Sequence, residues 1–226
     1  MDSLASAIQN NVSQVLIGKR HAVGMAVTTL LAGGHLLIED RPGVGKTLLA
    51  RALARSLDLP FQRVQCTADL LPTDILGGQV YHPQSGELTF RPGPVFTSVL
   101  VADELNRTPP RTQSALLECM QERRVTIERT SYPLPEPFFV VATQNPLNYA
   151  GTYPLPESQL DRFLMRINLG YPEADDEIEI IAGEDGHRNL DALAPVATVD
   201  QLRAAQAEIQ GVRMERDLIA HIVDLA

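Results

Sequence analysis

Apolar residues recur at helical spacing from residue 4 to residue 32: Leu4, Ile8, Val12, Val15 and Leu16, then Val23, Ala26, Val27 and Leu30. Gly18 and Lys19 interrupt the series, so the pattern predicts two helices joined at VLIGKR. HLLIE (35–39) is a short apolar run before a Gly-Pro turn and reads as a buried strand. TLLARALARSL continues as a helix, and FQRVQC as a strand with Val64 and Cys66 on one face. TADLLPTDILG fits a short helix. QVYHPQSGELTFRPGPVF (79–96) then reads as a β-hairpin turning at PQSGE. TSVLVADE is a further buried strand, and PPRTQSALLECMQER a helix. Pro109 and Pro110 suit that helix's first turn, and Leu116, Leu117 and Met120 form its apolar face. VTI and FFVVATQN add strand material.

Strands alternating with helices imply an α/β fold with a parallel sheet covered on both faces. From about Tyr171 the pattern changes to an acidic, partly helical stretch and then to helices only. The chain therefore divides into an α/β core over 1–170 and a small all-helical region over 171–226. The helical pattern is still running at LIAHIVDLA, so this second region reads as incomplete.

Composition narrows the class. The 226 residues carry 28 Asp and Glu against 19 Lys and Arg. An acidic balance disfavours nonspecific nucleic-acid binding, which uses a basic face. No apolar run reaches the ~20 residues of a membrane helix, and the N-terminus lacks a signal-peptide pattern. Cys66 and Cys119 are far from any CxxC spacing and read as reduced buried thiols. These features together predict a cytoplasmic protein.

EDRPGVGKTLLARAL (39–53) carries the first candidate chemistry. A strand, a glycine-bearing turn and a helix can converge backbone N–H groups on phosphate oxygens. Asp40, Arg41, Pro42, Gly43, Val44 and Gly45 would form the loop, with Leu48 in the helix behind it. Lys46 can reach the β- and γ-phosphates, and Thr47 can place its hydroxyl on Mg²⁺. The usual pattern has Gly where Asp40 stands. That position only starts the turn, and Asp accepts turn or left-handed conformations more readily than most residues.

The strand VLVA ends in Asp103 and Glu104. Beside a phosphate loop, the first carboxylate can hold the Mg²⁺ shell and the second can orient and deprotonate an attacking water. Alone, such a pair also reads as a solvent-facing strand end. Asn145 closes a third strand, where its amide could sense a γ-phosphate, although Asn before Pro alone reads more readily as a turn. Arg162 in LPESQLDRFLMRI could neutralise charge on a transferred phosphoryl group, or be a surface ion-pair partner.

In this order, the phosphate loop, DE strand, Asn strand and DRF string resemble the AAA+ ATPases. LLIEDRPGVGKT, LVADELNRTPPRTQSALLECMQERRVTI and ATQNPLNYAGTYPLPESQLDRFLMRI resemble the MoxR family in particular, over roughly residues 10–175. The resemblance implies a P-loop AAA+ fold with a hairpin insertion in its second helix (79–96) and a helical lid. It implies ATP and Mg²⁺ as cofactors, with Lys46 and Thr47 on phosphate and metal, Asp103 as the metal carboxylate and Glu104 as the base. Asn145 would be the first sensor and Arg162 an arginine finger acting on a neighbour's ATP, with Arg166 the weaker candidate. Ile17 and Gly18 would line the adenine pocket.

The family's second sensor arginine has no match in 171–226, where Arg203, Arg213 and Arg216 read as helix-surface charges. The implied function is ATP-driven, chaperone-like remodelling, maturation or metal insertion of a protein partner. The implied assembly is a ring, with a hexamer as the expectation, and the implied partner class contains a von Willebrand A domain. The alternatives are a magnesium-chelatase-like motor subunit and a nucleotide-binding assembly module with little hydrolysis. A DNA motor is disfavoured by the acidic balance.

Overall fold

The computed structural model describes residues 2–145, 151–182 and 190–225. It opens with α1 (Asp2–Ser13) and α2 (Arg20–Leu31), the two helices predicted by the apolar spacing. The core then runs β1 (Leu36–Glu39), α3 (Lys46–Ser56), β2 (Phe61–Gln65), α4 (Pro72–Leu76), β3 (Gly77–His82) and β4 (Glu87–Pro92). It continues with β5 (Val99–Asp103), a 3₁₀ turn (Leu105–Arg107), α5 (Pro110–Glu122), β6 (Arg124–Ile127), β7 (Thr130–Pro133) and β8 (Phe139–Gln144). After α6 (Glu157–Leu160) and β9 (Met165–Ile167) come the helices α7 (Ala174–Ala182), α8 (Val199–Gln210) and α9 (Arg216–Leu225). Residues 183–189, within the acidic stretch predicted to be partly helical, lie outside the described residues.

Five strands form one sheet in the order β2-β5-β8-β1-β9, with every pairing parallel. Side chains alternate between its two faces, as strand periodicity requires. Leu36, Ile38, Val99, Val101, Phe139 and Val141 pack on one face, with α1, α2 and α3. Leu37, Leu100, Ala102, Val140 and Ala142 pack on the other, against Leu116, Leu117 and Met120 of α5. Runs that are apolar at every position are what a strand buried on both faces needs.

The helical region lies over the first face. Leu190, Leu193, Leu202 and Ala205 belong to the same buried cluster as α1–α3. Asn11 donates to the Ala194 carbonyl at 3.1 Å, and Val196 N–H to the Ser56 carbonyl at 2.8 Å. Among the described residues, no helix is long and apolar enough to cross a membrane.

Three strand assignments differ from the sequence reading. The predicted hairpin spans Gly77–His82 and Glu87–Pro92, while Val95 is fully buried and turns back into the core rather than extending the strand. VTI does not join the main sheet; β6 pairs antiparallel with β7 in a second hairpin. MRI forms β9, a three-residue edge strand on β1, too short to show a period.

Candidate active site

In an open parallel sheet the carboxyl ends of the strands form the usual ligand crevice, at the point where the strand order reverses. Here that point is β1, which lies between β8 and β9, while the chain leaving β1 crosses to β2 at the far edge. The turn from β1 to α3 holds Asp40–Gly45. Gly45 precedes α3 with φ +95° and Gly43 has φ +87°, conformations that favour glycine. Val44 between them is buried and anchors the loop to the core, whereas Arg41, Pro42 and Gly43 are exposed.

A Cβ built at Gly43 meets nothing within 4 Å, so there is open space beside the loop. The first-turn N–H groups of an α-helix have no acceptor within the helix. The N–H groups of Lys46, Thr47 and Leu48 in the first turn of α3 are therefore available to an acceptor outside the helix, with the Lys46 charge adding to that positive end. This donor set fits a phosphate group.

Lys46 is buried, and its Nζ donates to the Asp40 carbonyl at 2.5 Å. Burial pulls its pKa below the usual lysine value, opposed by the carboxylates of Asp103, Asp40 and Glu104. The loop lysine and the DE pair thus share one electrostatic environment.

Asp103 ends β5 and is nearly buried. Its Oδ1 accepts from the Thr143 hydroxyl at 2.6 Å, and its Oδ2 from Arg63 Nη2 at 2.6 Å and Nε at 3.1 Å. Glu104 sits in the left-handed region at φ +58°, and its N–H donates to Thr143 Oγ1 at 2.8 Å. Its Oε2 accepts from Arg107 Nη1 at 2.9 Å. Asn145 follows β8, and its carbonyl accepts from the buried Asn106 amide at 3.3 Å.

Thr143, Arg63, Asn106 and Arg107 were not singled out from sequence. None of them belongs to a local string that signals it. Among the described residues no group of three His, Cys, Asp or Glu side chains is disposed to hold a metal by itself. Mg²⁺ at Thr47 and Asp103 would therefore share its shell with phosphate oxygens and water, as that ion commonly does.

Asp40 corrects the expectation that its position only starts a turn. It is not left-handed: among the described residues, the non-glycine residues with positive φ are Asp58, Glu104, Arg123 and Glu128. Its Oδ2 accepts the N–H groups of Leu169 at 2.9 Å and Gly170 at 2.6 Å, where the core meets the helical region.

The Ile17–Gly18 segment lies nearby. A Cβ at Gly45 would come within 2.9 Å of Leu16, and one at Gly18 would collide with the Asp176 carboxylate of α7. Lys19 Nζ donates to the Tyr171 carbonyl at 2.6 Å. The loop, the N-terminal segment and the first helix after the core therefore converge.

Arg162 lies elsewhere. It is exposed and bonds the Leu117 carbonyl at 3.1 Å and Gln121 Oε1 at 2.5 Å. Those acceptors stand about 10–16 Å along α5 from Pro110, the end nearer Glu104, at the usual helical rise. Arg166 pairs with Glu39 at 3.5 Å, at the end of β1. A cavity of about 250 Å³ at the amino ends of the strands is lined by Arg123 and Arg203, but both guanidinium groups bond backbone carbonyls there.

Residues 35–165 match the model of the ATPase family associated with various cellular activities, AAA. The chain belongs to this family. Within it, the chain is homologous to MoxR proteins: it is 48% identical over 170 residues to Chaperone MoxR1 of Mycobacterium tuberculosis, covering 75% of this chain and 45% of that one. Protein MoxR of Methylorubrum extorquens is 34% identical over 173 residues, covering 74% and 50%.

An uncharacterised Bacillus subtilis protein, YeaC, is 44% identical over 222 residues, covering 98% of this chain and 69% of its own length. A crystal structure of a protein from Cytophaga hutchinsonii, assigned as an ATPase, superposes with a TM-score of 0.84 at 39% identity, covering 96% and 66%. The AAA chain described here thus spans between about half and two thirds of the length of these relatives. The parallel sheet, two hairpins and C-terminal helices fit AAA+ architecture.

Proposed function

We propose that this AAA+ chain binds ATP with Mg²⁺ and hydrolyses it at the β1–α3 turn, and that the protein uses the energy for chaperone-like work on a protein partner. The observation carrying this reading is the shared environment of Lys46, Asp103 and Glu104 beside an open, glycine-bearing helix N-terminus. When bound, ATP supplies the phosphoanhydride and Mg²⁺ the positive charge that balances its oxygens. Lys46 and the first-turn N–H groups of α3 hold phosphate oxygens. Thr47 and Asp103 would hold the metal. Glu104 accepts a proton from the attacking water, with Arg107 fixing one of its carboxylate oxygens. Asn145 orients the same water from the adjacent strand end.

Arg162, between α6 and β9, bonds Leu117 and Gln121 of α5 rather than the residues of this site, which suits a residue acting on the site of a neighbouring copy in a ring. A hexamer is the expected assembly. Maturation or metal insertion, and a partner with a von Willebrand A domain, are the finer forms of this reading; similarity to a chaperone supports the general one.

Mg²⁺-ATP hydrolysis measured over a wide range of protein concentration tests the proposal. Activity per subunit should climb with concentration. Arg162→Ala should lose roughly 10³-fold or more in rate while keeping ATP affinity. A rate independent of concentration, or untouched by that substitution, would overturn the shared site. Nucleotide binding without turnover would overturn hydrolysis.

A further inference from the structure

Thr143 lies on β8, wholly buried, two residues before Asn145. A threonine hydroxyl has one hydrogen to give and lone pairs to accept with. Here the hydrogen goes to Asp103 Oδ1 at 2.6 Å, and a lone pair receives the Glu104 N–H at 2.8 Å. One atom therefore holds one oxygen of the Asp103 carboxylate, with Arg63 on the other, and also holds the backbone of the next residue. Glu104 is not a glycine yet sits at φ +58°, a strained conformation that persists only where neighbours impose it. Arg107 restrains Glu104 further, its N–H donating to the Glu104 carbonyl at 2.8 Å and its Nη1 to Oε2 at 2.9 Å.

We propose that Thr143 is a positioning residue for hydrolysis, aiming Asp103 at the metal and Glu104 at the water; this rests on the ATPase reading above. Its hydroxyl also ties the strand carrying Asn145 to the strand carrying the acidic pair. A shift of either strand end is thereby felt by both carboxylates. A threonine buried merely to fill space would need no such pair of hydrogen bonds, and valine would serve.

Thr143→Val keeps the shape and removes the hydroxyl, whereas Thr143→Ser keeps the hydroxyl and removes a methyl group. Two readouts are needed: the turnover rate, and the affinity for a fluorescent ADP analogue measured with EDTA and again with Mg²⁺. Outer-shell partners of metal ligands typically contribute 10–100-fold. Thr143→Val should lose about that much in turnover and a similar part of the affinity gained from Mg²⁺. Its Mg²⁺-free affinity should stay within about twofold of the parent. Thr143→Ser should recover both.

If Thr143→Val does not fold, Thr143→Ala against Thr143→Ser carries the same comparison. A valine variant with parental turnover and a parental Mg²⁺ gain overturns the assignment. So does a folded serine variant as impaired as valine, since packing would then be the cause. A parent chain that gains no affinity from Mg²⁺ and shows no turnover fails the ATPase reading itself, a result distinct from either.

Discussion

Asp40 occupies a position where a phosphate loop ordinarily has glycine, and restoring glycine should weaken this protein. Its Oδ2 accepts two distant backbone N–H groups, from Leu169 and Gly170, its Oδ1 accepts the neighbouring Arg41 N–H, and its carbonyl receives the Lys46 ammonium group. Asp40→Gly strands those two donors and adds freedom to the unfolded chain. Hydrogen bonds to a charged acceptor contribute about 1.5–3 kcal/mol, so a net loss of about 1–3 kcal/mol is expected. Urea unfolding of the parent and variant measures it, and a variant of equal or greater stability would remove this role from Asp40. Lys46, Asp103 and Glu104 are legible in sequence because local strings place each of them at a strand end or helix start. Thr143 and Arg63 are not, because each meets Asp103 across 40 residues of chain, and neither belongs to a string with that spacing. Asp40 is half legible: its tolerance in a turn can be reasoned from its side chain, but its partners 129 and 130 residues away cannot.

The two hairpins touch through aromatic rings. Phe90 of β4 stacks on Tyr132 of β7 with ring centroids 4.0 Å apart, and meets Phe96 edge-on at 5.6 Å. Stacked aromatic pairs contribute about 0.5–1.5 kcal/mol beyond their buried area. A double-mutant cycle on Phe90→Ala and Tyr132→Ala should therefore return a coupling energy in that range. Strict additivity would mean that the hairpins are held independently. PQSGE announces the first hairpin because its Ser-Gly turn is flanked by strand-forming residues. The second turns at Glu128 and Arg129, with Glu128 at φ +55°. No Gly, Asn or Pro marks that turn, so the usual chemistry of turns leaves it silent. The buried strands of the main sheet are plain for the opposite reason: each begins as a run of apolar residues and is bounded by turns.

At the scale of the whole molecule, the phosphate loop is where three separate stretches of chain meet. Leu16 and Gly18 approach from the N-terminal helices, Asp40 and Gly45 from the core, and Gly170, Tyr171 and Asp176 from the start of the helical region. Sequence order places the first and third of these more than 150 residues apart, and only the parallel sheet brings them together. Leu190, Leu193 and Leu202 share a buried cluster with α1–α3. A ligand at the loop should therefore stabilise the N-terminal helices, the core and the following helices together. At a hundredfold excess over its dissociation constant, Mg²⁺-ADP should add about 2.7 kcal/mol. For a chain of this length that corresponds to a rise in Tm of about 5–10 °C. Thermal unfolding followed by helical circular dichroism and by a probe near Asp176 should move by the same amount. Lys46→Ala should abolish both shifts while leaving the ligand-free Tm near the parent's. Movement of one signal without the other would mean that the helical region does not sense the loop, and an undiminished shift in Lys46→Ala would place the nucleotide elsewhere.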